Sequence, residues 1–224
     1  MYDLRFDEYE KSVFLTMAQK EFVRNFYAGR NSYGLSVEST EEVRKQLNQL
    51  VCTYSTSNAE SETTQNPGDF HLADNENGGH IYTFFKCPND IWWILYEEAQ
   101  LSSSSDSCID GTYALVTPTT HDELYKQLGN PFRGPSEKRI LRLDVESNLV
   151  ELISKHNIGK YIMRYMKEPS PIVLTDMSHN IDERTVDKGF NHPQTCMLND
   201  QTHDVILQIA VSKAIASKSA GRSS

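Results

Sequence analysis

The chain has 224 residues and a mass of 25.6 kDa, enough for one large domain or one domain with a substantial insertion. Apolar residues make up 38 % and mean hydropathy is −0.55, which supplies one core but is lean for a compact enzyme. A net charge of −9 argues against a stand-alone nucleic-acid binder, because phosphate neutralisation needs clustered Lys and Arg.

Residues 6–28 predict a long first helix, with Val13, Phe14, Met17, Phe22, Val23 and Phe26 recurring at helical spacing. Ser39, Thr40, Glu41 and Glu42 have the form of a capping box and open a second helix to about Cys52. Two helices joined by a short loop favour an antiparallel pair. Residues 53–79 are polar, with Tyr54, Phe70 and Leu72 as their sizeable apolar side chains, and read as an extended arm used for contacts.

Residues 80–86 and 91–100 read as a β-hairpin across Cys87, Pro88, Asn89 and Asp90, with both faces apolar. A strand apolar on both sides is sandwiched in a core or between subunits. Residues 108–117 predict a third strand, and Thr120 with Glu123 a capping box for a short helix ending near Gly129. Residues 139–146 alternate, Leu141, Leu143 and Val145 against Arg142 and Asp144; residues 149–154 are a shorter apolar run. Residues 161–167 alternate again, and Pro169 with Pro171 place residues 172–174 at a sheet edge. A final helix over about 200–218 carries Val205, Ile206, Ile209, Ala210 and Ile215 and is expected to pack on the first.

The predicted fold class is α+β: N- and C-terminal helices packed together, with an antiparallel sheet and extended arms. Its parts are a helical 1–52 plus 196–218, the arm 53–79, a hairpin and strand insertion 80–117, a mixed part 118–195 and a tail 219–224. One intertwined domain is expected.

Little in the chain offers chemistry. Cys52, Cys87, Cys108 and Cys196 form no CxxC and no zinc-finger spacing with His, so packed thiols in a reducing compartment are expected. The charged start has no apolar signal region, and the run 91–96 is too short to cross a bilayer. None of the seven histidines falls in HExxH or an i, i+4 pair. His71 and His80, facing across Gly78 and Gly79, are the one region where a metal-dependent enzyme would have to be built. There is no nucleophile elbow and no phosphate loop. Glu97 and Glu98, adjacent on a strand, point to opposite faces and read as its wet end. No catalytic residue, metal ligand or cofactor is expected.

Trp92 and Trp93 also face opposite ways on a strand: either both are core in a two-layer domain, or one anchors an interface. Arg139, Arg142, Arg164 and Lys167 lie on strand faces as either a salt-bridge strip with Asp144 and Glu146 or a contact for DNA phosphates. The expected subunit-interface residues are Tyr54, Phe70, Leu72, Tyr82, Phe84, Trp92, Trp93 and Tyr96.

Several motifs in order carry a family resemblance. They are Gln19-Lys20-Glu21-Phe22-Val23 with Phe26-Tyr27, then Ser39-Thr40-Glu41 with Arg44 and Leu47, then Ile140-Leu141-Arg142-Leu143-Asp144. Tyr161-Ile162-Met163-Arg164-Tyr165-Met166-Lys167 with Pro169, Pro171, Ile172, Val173 and Leu174 follows, and Cys196, Leu198 and the 203–214 helix close the series. The chain resembles the virion structural proteins of crAss-like short-tailed gut phages that form head-to-tail connector, or neck, rings. Where the family commonly has a basic pair before Pro-x-Pro, this chain has Met166-Lys167-Glu168, so one basic position is lost. The resemblance implies a homo-oligomeric ring of roughly twelve copies, with the portal and other neck and tail proteins as partners. It implies genomic DNA passing without sequence-specific binding, no membrane, and a place at the head-to-tail junction after synthesis in the host cytoplasm. Another portal- or tail-associated virion part is the alternative.

Overall fold

The structure, a computed structural model, describes residues 6–29, 41–57, 79–103, 107–146, 148–178 and 185–220. The Ser39 cap, most of the arm with Phe70 and Leu72, and His71 lie outside the described residues. The chain forms two compact units, Met1–Val51 with Glu168–Ser224, and Cys52–Lys167. The boundary at Lys167 falls within the span 118–195 that the sequence reads as one mixed part.

In the first unit, helix α1 (Glu8–Tyr27) is opened by a reciprocal capping box between Asp7 and Glu10. Helix α2 (Glu41–Leu47) ends in a 3-10 turn at Asn48–Leu50, and α4 (His203–Ala220) follows a 3-10 turn at Asp200–Thr202. Helices α1 and α4 pack together, with a Lys213–Glu21 ion pair between them and the Lys218 ammonium 4.1 Å from the Phe6 ring centroid. Two details differ from the expected apolar stripes. Met17 on α1 is 52 % exposed while Ser12, Thr16 and Gln19 are buried, and on α4 Val205 and Ile215 are exposed beside buried Ile206, Ala210 and Ala214.

The reason for a polar buried face on α1 is the chain running beside it. Gln19 Nε2 donates to Ser170 O at 2.8 Å, Thr16 Oγ1 accepts from Ile172 N at 3.0 Å, and Ser12 Oγ accepts from Leu174 N at 3.1 Å. Three or four helical residues rise about 4.5–6 Å and two extended residues about 6.6 Å, so the polar positions of α1 stay close to alternate residues of the extended segment. Val173, facing away, exchanges both backbone bonds with Gln194. Pro169 and Pro171 have no N–H to leave unpaired. The segment expected at a sheet edge is thus held by helix side chains, outside any sheet.

In the second unit the strands are β1 (Val51–Ser57), β2 (Ile81–Lys86), β3 (Ile91–Ser102), β4 (Tyr113–Pro118), β5 (Arg139–Glu146), β6 (Leu149–Ser154) and β7 (Asn157–Lys167). They form one seven-stranded sheet in the order β1-β7-β3-β4-β5-β6-β2. The sheet is mixed: β4 and β5 are parallel, and helix α3 (His121–Leu128) lies in the crossover that a parallel pair requires. The fold class is α+β as expected, with that one departure from an all-antiparallel sheet.

The expected hairpin of β2 with β3 does not form. β2 pairs along its whole length with β6, from Ile81–Ser154 to Lys86–Leu149, and Cys87 N extends the ladder to Asn148 O at 2.6 Å. β3 pairs instead with β7 and β4. A tight-turn composition marks where the chain bends but not which strand it meets, and the long-range ladder wins. The first residues of the expected arm, up to Ser57, are likewise a strand of this sheet.

The sheet curls on itself. β1 and β2 are its two ends, yet Tyr54 Oη on β1 donates to Lys86 O on β2 at 2.9 Å. Phe85 of β2 and Tyr161 of β7 sit with ring centroids 5.4 Å apart. The inner face carries the core, including Phe85, Leu101, Ile140, Leu152, Tyr161 and Met163. Each such side chain contributes roughly 2 kcal/mol by leaving water.

Candidate functional site

Inside the curled sheet lies its one strongly charged cluster among the described residues. Glu97 of β3 is 5 % exposed; its Oε2 accepts from Arg142 Nη1 of β5 at 2.8 Å, and its Oε1 accepts from the Tyr161 hydroxyl of β7. Arg142 also pairs with Asp144, Nε to Oδ1 at 3.3 Å. Burial alone would lower the Arg142 pKa, but the Glu97 and Asp144 carboxylates outweigh it and hold the guanidinium charged. Burial, then the charge of Glu97, pushes the Tyr161 phenol up, so it stays a donor. The expectation that Glu97 marks a wet strand end is overturned: β3 runs on to Ser102, and Glu97 turns inward to meet Arg142.

This cluster offers structure rather than reactivity. Every oxygen of Glu97 is taken by a donor from another strand, so β3, β5 and β7 are tied together through the interior. Burial pushes the Cys87 thiol up to about 12, removing the thiolate a nucleophile needs. Among the described residues, no group of three or more His, Cys, Asp and Glu side chains is placed to hold a metal ion. Among the described residues no helix is long and apolar enough to cross a membrane.

The four cations read as one strip are separated. Arg142 is interior, Arg139 and Arg164 sit on the outer wall, and Lys167 ends β7 opposite Ile91. Of the expected interface residues, Tyr54 is half-buried and seals the sheet, while Tyr82 and Phe84 are half-buried opposite Ile153 and Glu151. Trp92 and Trp93 do not face opposite ways. Their rings stack at 4.1 Å with a 15° interplanar angle, because a bulge between Ile91 and Trp93 breaks the alternation. Tyr96 is 46 % exposed on the outer wall.

That wall also holds residues the sequence reading missed. Tyr113 and Leu115 of β4 are each 51 % exposed, between buried Ala114 and Val116. The register sets them in rows: Arg164 beside Tyr96, then Ile162, Glu98, Leu115 and Arg139, then Lys160, Gln100 and Tyr113. The signal was the alternation of Tyr113-Ala114-Leu115-Val116, small side chains in and large ones out. Elsewhere, Leu207, Val211 and Ile215 form an exposed stripe at i, i+4, i+8 on α4, and Phe132 is 89 % exposed. Isolated exposed apolar residues are ordinary, but contiguous ones mark contact surfaces.

A sheet whose buried charges pair with one another across its interior, and whose outside keeps apolar side chains, has the character of a structural building block. The comparisons with known proteins agree. The chain belongs to the phage tail ring protein 3/4 family, whose model matches residues 1–224. It is 44 % identical over 217 residues to "Ring protein 3" of Bacteroides phage crAss001, covering 96 % of this chain and 87 % of that protein. It is 28 % identical over 217 residues to "Ring protein 4/5" of the same phage, covering 94 % and 82 %. The chain is therefore a ring-type structural protein of the crAss-like phage virion, as the resemblance implied.

Proposed function

We propose that the chain is one subunit of a head-to-tail connector ring that joins portal and tail and forms part of the DNA channel. The observation that carries this reading is the family match along the full chain, with relatives named as ring proteins. The mechanism is mechanical: side-by-side copies transmit load between capsid and tail while leaving an axial passage open. Net charge supports it. At −9 per chain, a ring of roughly a dozen copies carries a charge of order −100, and an acidic lumen lets phosphate slide past without sticking. Copies repel one another for the same reason, so apolar contact worth about 25 cal/mol per Å² must hold them together. On this reading the protein is not an enzyme.

Cryo-microscopy of intact particles tests the proposal. The expected result is this chain in a closed ring between portal and tail. Density placing it away from that junction, such as at the distal tail, would assign it to another tail ring and end the connector reading.

A further inference from the structure

We infer that the outer wall formed by β7, β3 and β4 is the receptor for residues 58–78 of a neighbouring copy, an inference that rests on the ring reading above. The wall has an apolar heart, with Tyr96, Tyr113 and Leu115 exposed and Ile162 half-buried. Lys160, Arg164 and Arg139 stand around that heart, against Glu98 as the one carboxylate in the same rows. Glu98 is already engaged, accepting from the Tyr96 hydroxyl at 2.9 Å. Just outside, Glu137 and Lys138 offset each other, and Asp110 lies beyond Gly111, at the end where Ser103 N donates to it. The wall is therefore a cationic surface on an acidic protein.

Residues 58–78 are its chemical complement. This stretch of 21 residues carries Glu60, Glu62, Asp69, Asp74 and Glu76 and no Lys or Arg. Its two large apolar residues, Phe70 and Leu72, are two positions apart and are followed by Asp74 and Glu76 at the same step. That step places side chains on one face of an extended chain, about 6.6 Å apart, which is also the separation of Tyr113 and Leu115 along β4. Two anchors followed by two carboxylates suit a surface of apolar residues next to cations.

A neighbouring copy is the source because ring contacts are heterologous: each subunit must present one surface and receive a different one. An acidic donor and a cationic receptor on the same chain meet that condition. A nucleic acid is the less suitable occupant, since aliphatic Leu115 and Ile162 sit where phosphates would lie and the whole chain is anionic.

The test uses the full-length chain and reads its mass against concentration. Arg139→Glu with Arg164→Glu reverses the wall, and Asp74→Lys with Glu76→Lys reverses the donor. Each pair is expected to weaken self-association about tenfold, and all four together to restore it; unchanged circular dichroism and melting confirm that the variants fold. In a Cys108→Ser background, mixing Leu115→Cys chains with Phe70→Cys chains should yield a disulfide between the two. The inference is overturned by a wild-type chain that stays monomeric at high concentration, by wall variants that associate normally, or by a disulfide that forms only within a doubly substituted chain. It is equally overturned if the wall variants lose binding to a DNA oligonucleotide while self-association is unmoved. None of these outcomes touches the connector reading, which the particle image decides separately.

Discussion

Thr16 accepts the Ile172 amide from inside a helix, and its Oγ1 also lies 2.8 Å from Ser12 O and 3.2 Å from Ile172 O. Thr16→Val keeps the shape and removes the acceptor, leaving a buried N–H with nothing to donate to. We expect a loss of about 2 kcal/mol in chemical denaturation; an unchanged midpoint would mean the helix does not hold the strand this way. Arg142 is a harsher case. Arg142→Met strands the Glu97 carboxylate in the core and should cost about 3 kcal/mol or more. The two residues sit 45 positions apart. Alternation showed that Arg142 and Asp144 share a face, but no local pattern could show that Glu97 waits there. Glu151 has the opposite character: burial raises its pKa from 4.5 to about 7. The folded state then holds its proton more tightly than the unfolded chain, so stability from this group falls as pH rises from about 4.5 to 7 and stays low above. Glu151→Gln should flatten that slope and stabilise the protein at pH 8 by at most about 3 kcal/mol, which urea titrations at pH 5 and pH 8 would reveal.

The turn between Val186 and Phe190 bends through Asp187 and Lys188 at φ of 30° and 54°, a conformation that side chains disfavour. It is pinned by charge: Lys20 on α1 bridges Asp187 and Glu168, and Lys188 returns to Glu168. Burial alone would lower the Lys20 pKa and raise that of Glu168; their partners reverse both. A raised Lys20 contributes stability below its unfolded pKa of 10.5 and loses it as pH climbs through the folded value. A depressed Glu168 contributes above its unfolded pKa of 4.5 and loses it as pH falls through the folded value. The network is thus whole between about pH 5 and 10. Lys20→Met should cost about 2 kcal/mol inside that window, and the cost should shrink as pH falls through the folded pKa of Glu168; a loss that stays constant down to acid unfolding would exclude an ionic role. At this scale much was legible. Periodicity located the terminal helices and the alternating strands β5 and β7. It failed at β3, where bulges near Trp93 and Tyr96 shift which side chains point inward. It failed again at β2, whose partner β6 is more than sixty residues downstream.

The two compact units place the four thiols in different surroundings: Cys87 is buried, Cys52 and Cys196 are half-buried, and Cys108 is exposed. None is in a disulfide. Native labelling with a thiol reagent should modify Cys108 in minutes and leave Cys87 untouched until the sheet opens. Fast reaction at Cys87 would contradict a closed sheet. In the sequence the acidic balance argued against nucleic-acid binding, no catalytic motif stood out, and the order of weak motifs pointed to rings. The outer wall escaped notice because its rows come from β7, β3, β4 and β5, which only tertiary pairing sets side by side. The Tyr54 hydroxyl that joins the two ends of the sheet has a consequence for crowding. With the β1 and β2 rims tied by this bond, the two edges of the sheet are partly covered, which disfavours backbone pairing between copies packed at high local density. Side-chain contacts of limited reach and set direction are then favoured, and in the proposed ring growth through them stops once the circle shuts.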